Sequence, residues 1–179
     1  MAPLAHASEQ RLSAKVIKAP WTVTSDGRTP NQIARDLERR GRFITDNALE
    51  VICRATDLAA PGTVYSFWVI RGRDFSSLPR PTSEIFELAA RAGLKCQHSI
   101  IPALLLAEKY TQRELGCQTL VMCHAPISIP RPSNPSQRRT FFLSATESEG
   151  QEELAVRRPD RVRLFGPGMS FVFFALRGV

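Results

Sequence analysis

Two arginines that directly follow an apolar run carry the groups in this sequence best suited to binding phosphate. Residues 64–70 are apolar or aromatic except for Ser66 and rich in β-branched side chains, which predicts a strand buried on both faces. Arg71-Gly72-Arg73-Asp74 follows, and ligands often bind beyond the carboxyl ends of such strands. We expect the next helix to begin at Thr82 and Ser83, where free backbone N–H groups favour an anion. The predicted phosphate site consists of Arg71, Arg73, Ser76, Ser77, Thr82 and Ser83.

Asp74 is the acidic residue closest in sequence to these arginines, and it would hold a divalent metal ion or a water molecule in a phosphodiester-cleaving enzyme. Its neighbours supply no second carboxylate, so nuclease or phosphodiesterase activity is an extension of the binding hypothesis. The spacing matches neither a Walker loop nor a Gly-x-Gly-x-x-Gly pattern. The competing interpretation is a strand that simply reaches solvent, with Asp74 pairing with an arginine.

The chain is basic, and arginine carries most of the positive charge. It has 24 Lys and Arg against 17 Asp and Glu, a net charge of +7, and its lysines are Lys15, Lys18, Lys95 and Lys109 alone. Because guanidinium groups bind phosphates and carboxylates bidentately, this balance favours nucleic acid, an anionic membrane surface or an acidic protein as a partner. A genome rich in Arg codons is the alternative explanation. Our leading hypothesis is an accessory protein that binds the DNA or RNA backbone, with secondary contacts from Arg39, Arg40, Arg42, Arg138 and Arg139.

Two further patterns bear on how such a protein would reach its partner. Residues 29–55 resemble a helix-turn-helix motif whose recognition face would carry Arg39, Arg40 and Arg42, although the turn is longer and more apolar than in that motif. Residues 126–139 are rich in Pro and Ser and predict a long surface loop. Through Arg131, Arg138 and Arg139 this loop would serve a rival function, that of an interaction or inhibitor protein docking on an acidic surface.

The cysteines and histidines give no clear metal or nucleophile motif. Cys53, Cys96, Cys117 and Cys123 lie mostly among apolar residues, and no Cys-x2-4-Cys knuckle is present. We therefore expect reduced core cysteines and no bound metal or other cofactor, except a divalent ion if the protein is a nuclease. A nucleophilic pair of Cys96 or Cys123 with His98 is the alternative.

Glu147-Ser148-Glu149 resembles the Glu-x-Glu turn of the ADP-ribosyltransferases. The resemblance implies a transferase in which Glu147 and Glu149 act on the substrate and Arg71 is the arginine of an early strand. The Ser-Thr-Ser element that these enzymes carry on a middle strand has no counterpart, because Pro81-Thr82-Ser83-Glu84 opens a helix.

These residues are expected to be positioned by one α+β domain, a mixed sheet with helices packed on it, preceded by a flexible leader at residues 1–14. Helix patterns dominate the first two-thirds and strand patterns the last third. Thr29 and Pro30 predict the start of a helix over 30–40, and Thr45 or Asp46 the start of a second that stops before Pro61. Further helices are predicted over 83–92 and 102–115. We also predict a hairpin across Gly166-Pro167-Gly168. The longest apolar runs, 100–107 and 171–176, are far below the roughly 20 residues of a membrane helix, so we expect a cytoplasmic protein.

Overall fold

The protein folds around a seven-stranded mixed sheet with helices on both of its faces. The computed structural model describes residues 16–75, 80–131, 133–148, 150–158 and 164–176. Helices dominate the first part of the chain and long strands the last part, so the predicted single α+β domain is confirmed. The predicted leader, residues 1–14, lies outside the described residues.

The strands of the main sheet do not follow chain order. In spatial order they are β1 (Ile17–Thr24), β3 (Val64–Arg71), β9 (Met169–Leu176), β5 (Thr119–Arg131), β6 (Asn134–Ser148), β7 (Gln151–Arg157) and β2 (Phe43–Ile44). The β5–β9 and β7–β2 pairs are parallel and the others are antiparallel. The short strands β4 (Arg80–Pro81) and β8 (Leu164–Phe165) pair separately.

Three helices cover one face of the sheet: α1 (Pro30–Arg39), α2 (Asp46–Arg54) and α4 (Ile101–Lys109). The sequence predicted how the first two begin. Thr29 forms a capping box with Gln32 ahead of Pro30, and the Thr45 side chain accepts from the backbone N–H of Ala48. Helix α4 is buried from Ile101 to Ala107, because it lies between the sheet and its neighbours.

The opposite face is covered more sparsely. Helix α3 (Thr82–Arg91) packs Ile85 and Ala89 against a cluster rich in phenylalanine on β3, β5, β6 and β9. Strand β3 is therefore buried on both faces, as its apolar run predicted.

Several sequence-based boundaries were wrong. The helix expected over 102–115 ends at Lys109 and is followed by the separate short helix α5 (Gln112–Leu115). The polar stretch after Glu147 contains β7, which pairs with β6. Residues 164–176 do not form a hairpin, since β8 pairs with β4 and β9 pairs with β3 and β5.

The loop predicted at 126–139 is instead a pair of strands. Residues 127–131 of β5 pair with 134–141 of β6, and we call these two segments the β5–β6 ribbon. Strand β9 pairs with β5 only up to Met122, and β7 pairs with β6 only from Phe142. The ribbon therefore lies beyond the rest of the sheet, and each of its two strands has one edge with no neighbouring strand among those described. A proline is tolerated on such an edge, because an N–H that faces away from the partner strand makes no ladder hydrogen bond.

A bulge in β5 marks the point where the sheet becomes the ribbon. Four residues of β5, 123–126, lie opposite the single residue Phe142 of β6. The fully buried His124 occupies this bulge: its Nδ1–H donates to Ala125 O at 2.7 Å, and its Nε2 accepts from the backbone N–H of Leu143 at 2.9 Å. Ala125 N–H in turn donates to Gln97 O.

We predict that stability falls as the pH drops from about 6.5 to about 4 because of His124. Burial lowers its pKa to about 4, although the bond to Ala125 and the charge of Asp57 oppose the shift. The unfolded state, with an ordinary histidine, binds the proton first, so stability is full above pH 6.5 and is lost toward pH 4. Between pH 8 and 5 the loss should be about 2 kcal/mol, measured by urea unfolding.

The matched variants are His124→Gln and His98→Gln, since His98 is exposed. His124→Gln should be less stable at pH 8 but should lose this pH dependence. A pH dependence that disappears with His98→Gln and persists without His124 would contradict the assignment.

Candidate functional site

The turn after β3 is held by close packing against the segment that leads into β9. Arg71 lies opposite Ser170 in the β3–β9 pair, and residues Gly72–Asp74 form one 3-10 turn. Gly72 is buried, and a Cβ at this position would collide with Gly166 O and lie 2.8 Å from Met169 O. Only glycine fits here, so the turn that carries Arg71, Arg73 and Asp74 has a fixed place at this end of the sheet.

The positive charges of Arg71 and Arg73 both act on the thiol of Cys117. Burial raises the pKa of the Cys117 thiol to about 11, while a hydrogen bond with Ser170 and the positive charges of Arg71 and Arg73 oppose the shift. Arg73 is exposed and Arg71 half-buried, whereas Asp74 is half-buried and has an interaction partner within the protein. The arrangement offers two guanidiniums to an anion and leaves the thiol protonated at neutral pH.

The other members of the predicted phosphate site either lie apart from Arg71 and Arg73 or fall outside the described residues. Helix α3 begins at Thr82 as expected, but its N-cap is Pro81, which gives no side-chain cap. Thr82 is buried and lines a cavity whose described lining residues include neither Arg71 nor Arg73. Ser83 is half-buried, and Ser76 and Ser77 lie outside the described residues.

The arginines after α1 are engaged in ion pairs within the fold. Arg39 contacts Asp36 at 2.7 Å and Arg40 contacts Glu108 at 3.1 Å. The carboxylates of Asp36 and Glu108 also bind Arg28, which holds the pKa of that guanidinium above its usual range. Arg39 and Arg40 remain largely exposed, so an anion reaching them would compete with these carboxylates.

Arg42 is an interior residue. Its side chain is 8% exposed, pairs with Glu152 and reaches Tyr110 O at 3.5 Å. Burial lowers the pKa of Arg42, and the carboxylate of Glu152 opposes that shift. The structure therefore assigns Arg42 to the packing between α1 and β7 instead of to a surface that meets a ligand.

The resemblance of residues 29–55 to a helix-turn-helix motif does not hold in three dimensions. After Gly41, which has a φ of 83° that favours glycine, the chain forms β2 and pairs with β7. The expected turn is thus an edge strand of the main sheet. Helices α1 and α2 pack their buried faces into the core beside it.

The three arginines of the β5–β6 ribbon form no ion pair within the described part of the chain. Arg138 and Arg139 are exposed, and Arg131 donates from Nη1 to Gln137 Oε1 at 2.9 Å. The sequence from 117 to 146 contains no Asp or Glu, so no acidic residue of the ribbon itself offsets their charge.

The basic groups lie at two ends of the sheet. Arg71 and Arg73 are beside the start of β5, where Thr119 pairs with Thr146 of β6. Arg139 and Arg138 lie seven and eight residue steps further along β6, roughly 25 Å away. The structure therefore brings Arg71 together with Arg73, and Arg131 with Arg138 and Arg139, but does not join the two groups.

The cysteines are free thiols, and three of them are shielded. Burial raises the pKa of Cys96 to about 11 and that of the fully buried Cys123 well above its usual value. Cys53 is exposed, contrary to the core position expected from its helix pattern. The described residues hold no cluster of three or more His, Cys, Asp or Glu placed to bind a metal ion. The thiolates needed for a Cys96 or Cys123 nucleophile are thus disfavoured by their surroundings.

Glu147 lies exposed near the end of β6, and Glu149 lies outside the described residues. The position that would hold the Ser-Thr-Ser element of an ADP-ribosyltransferase begins helix α3, as the sequence predicted. The resemblance therefore rests on the glutamates alone.

Sequence reasoning missed a cavity of about 220 Å³ on the sparsely covered face. Val121, Phe142, Phe165 and Phe171 form its apolar part, and Arg157 and Arg158 lie beside them. Arg157 and Arg158 end a polar stretch whose sequence has no clear strand pattern. The pairing of Arg157 with Phe142 is the observation that places Arg157, at the end of β7, on this face.

Comparison with known proteins supplies no function for this chain, so the proposal below rests on the structure. No protein-family model, curated protein or solved structure matches this chain significantly. Among the described residues, no helix has the length and apolar character needed to cross a membrane.

We predict that Arg42→Met costs stability, whereas Arg39→Ala does not. Removing Arg42 leaves the half-buried carboxylate of Glu152 without its cation, which should lower the free energy of unfolding by about 2–4 kcal/mol. Arg39 is 76% exposed, so its loss should change stability by less than about 0.5 kcal/mol. Urea unfolding at pH 7 measures both, and equal effects would contradict an interior role for Arg42.

Proposed function

We propose that this protein binds the phosphate backbone of nucleic acid through the β5–β6 ribbon. The observation that carries the proposal is the position of Arg131, Arg138 and Arg139 on a ribbon without acidic side chains, beyond the rest of the sheet. In contrast, Arg28, Arg39, Arg40 and Arg42 form ion pairs with carboxylates. Unneutralised arginines gain the most from meeting phosphates, because no ion pair with a carboxylate has to be given up.

The shape of the ribbon supports the same proposal. A two-stranded antiparallel ribbon fits into the major groove of duplex DNA. In the register of the ribbon, Ile129 lies opposite Arg139 and Pro130 lies opposite Arg138. Because neighbouring residues of a strand point to opposite faces, Arg138 and Arg139 lie on the two faces of the ribbon. Whichever face meets nucleic acid therefore carries an arginine.

The proposal is one of binding, with little preference for base sequence. Phosphate contacts position a protein on nucleic acid without reading bases, and they make affinity strongly dependent on salt. Arg71 and Arg73 form a second candidate contact at the other end of β5, with Asp74 beside them. Nuclease activity at Asp74 stays a prediction from the sequence and is not needed for binding.

We predict that replacing the ribbon arginines weakens binding and its dependence on salt. For Arg131→Gln, Arg138→Gln and Arg139→Gln combined, the slope of log K against log salt for duplex DNA should become less steep by about 2–3, because three phosphate contacts are lost. Fluorescence anisotropy with duplexes of two unrelated sequences, at several salt concentrations, measures it.

The matched control is Arg39→Gln, Arg54→Gln and Arg91→Gln combined, which removes the same charge from exposed helix positions paired with carboxylates. This control should keep the slope of the unmodified protein. Identical slopes for the two triple variants would refute the role of the ribbon. If the unmodified protein binds no nucleic acid at low salt but binds acidic proteins through the ribbon, the rival docking function replaces the proposal.

We predict that Arg71→Gln with Arg73→Gln changes binding less than the ribbon variant does and leaves stability nearly unchanged. The turn is held by Gly72 packing and by burial of β3, not by the two guanidiniums, so the melting temperature should shift by only a few degrees at most. Thermal melting measures the effect on stability, and the same anisotropy assay measures the effect on binding. A collapse of the melting temperature would show that these arginines are structural, and a loss of binding larger than that of the ribbon variant would move the main contact to this end.

A further inference from the structure

The cavity on the sparsely covered face has a rigid aromatic wall. Phe165 packs edge-on against Phe171 with ring centroids 5.4 Å apart, and against Phe75 at 5.2 Å. Phe142 stacks with Phe86 at 5.7 Å. Phe142, Phe165 and Phe171 are buried in the sheet core, so the wall is set by the fold and does not depend on a ligand.

The charge beside this wall is positive. Arg157 lies opposite Phe142 in the β6–β7 pair, and Arg158 follows it. The Nε of Arg157 is buried and has no hydrogen-bond partner among the described residues. The cavity's described lining includes no acidic residue. Arg157 also has no ion pair among the described residues, so an anion in the cavity would offset a charge that no described acidic residue offsets.

We infer that this cavity binds a small carboxylate with an apolar body, an aryl or short acyl acid. Its volume of about 220 Å³ is below the range of roughly 300–1,000 Å³ that drug-sized ligands occupy. Val121, Met169 and the phenylalanines would cover the hydrocarbon or ring. The carboxylate would lie against Arg157, whose planar fork matches its two oxygens.

The lining favours this class over a nucleotide. Recognition of a base uses hydrogen bonds to its polar edges as well as stacking. Of the described lining residues other than the two arginines, Thr82 is the only one with a polar side chain. An apolar body with a single charged end matches this distribution better than a base with polar edges.

This site is separate from the proposed nucleic-acid contact. None of the ribbon arginines belongs to the described lining of the cavity. The triple ribbon variant should therefore keep carboxylate binding, and failure of either proposal would leave the other standing.

Isothermal titration calorimetry of the full chain with benzoate and hexanoate, compared with benzamide and hexanamide, tests the inference. Both acids should bind and the neutral amides should bind at least about tenfold more weakly, since they lack the charge that meets Arg157. Arg157→Gln should weaken acid binding about tenfold or more. Arg91→Gln, an exposed change on α3, should leave it unchanged.

Met169→Trp supplies an independent check, because it fills the cavity without touching a charge. It should abolish binding of both acids while thermal melting shows a folded protein. Equal affinity for acids and amides, no binding of either acid at millimolar concentration, or tighter binding of adenosine or uridine monophosphate than of the acids would each overturn the assignment.

Discussion

The buried His124 fixes the place where the sheet ends and the β5–β6 ribbon begins. It accepts from Leu143 on the neighbouring strand and donates to Ala125, while Ala125 binds Gln97. These bonds satisfy backbone groups that the bulge would otherwise leave unpaired in the core. Because β5 leaves its pairing with β9 after Met122, at this bulge, the position of the ribbon arginines depends on a neutral imidazole that lies within the sheet core.

The two faces of the sheet differ in how completely they are covered, and this difference explains the cavity. Three helices bury one face, with α4 apolar on every side. On the other face α3 covers only part of the phenylalanine-rich cluster. Space remains between β7, β8 and the start of α3, where Arg157 and Thr82 meet the aromatic wall. The helix-covered face is thus closed by its own packing, whereas the face covered by α3 leaves the cavity in which we infer that a ligand binds.

Local signals in the sequence predicted the elements that local chemistry determines. Thr29-Pro30 and Thr45 start helices through their own side chains and backbone, and the apolar run before Arg71 became a doubly buried strand. Signals that depend on partners distant in the chain were misleading. The prolines of 126–139 suggested a loop because the open edges of the ribbon could not be foreseen. Arg39, Arg40 and Arg42 resembled a basic surface, but Asp36, Glu108 and Glu152 meet them only after folding.

The proposed nucleic-acid contact is the ribbon and not the basic turn at the other end of β5. Titrating ¹⁵N-labelled protein with a short DNA duplex while recording backbone amide shifts tests this directly, because each contact is located without changing the protein. We expect the largest shifts in residues 127–131 and 134–141, with small changes near Arg71 and Arg73. Shifts confined to the turn after β3, or spread evenly over the exposed arginines, would contradict it.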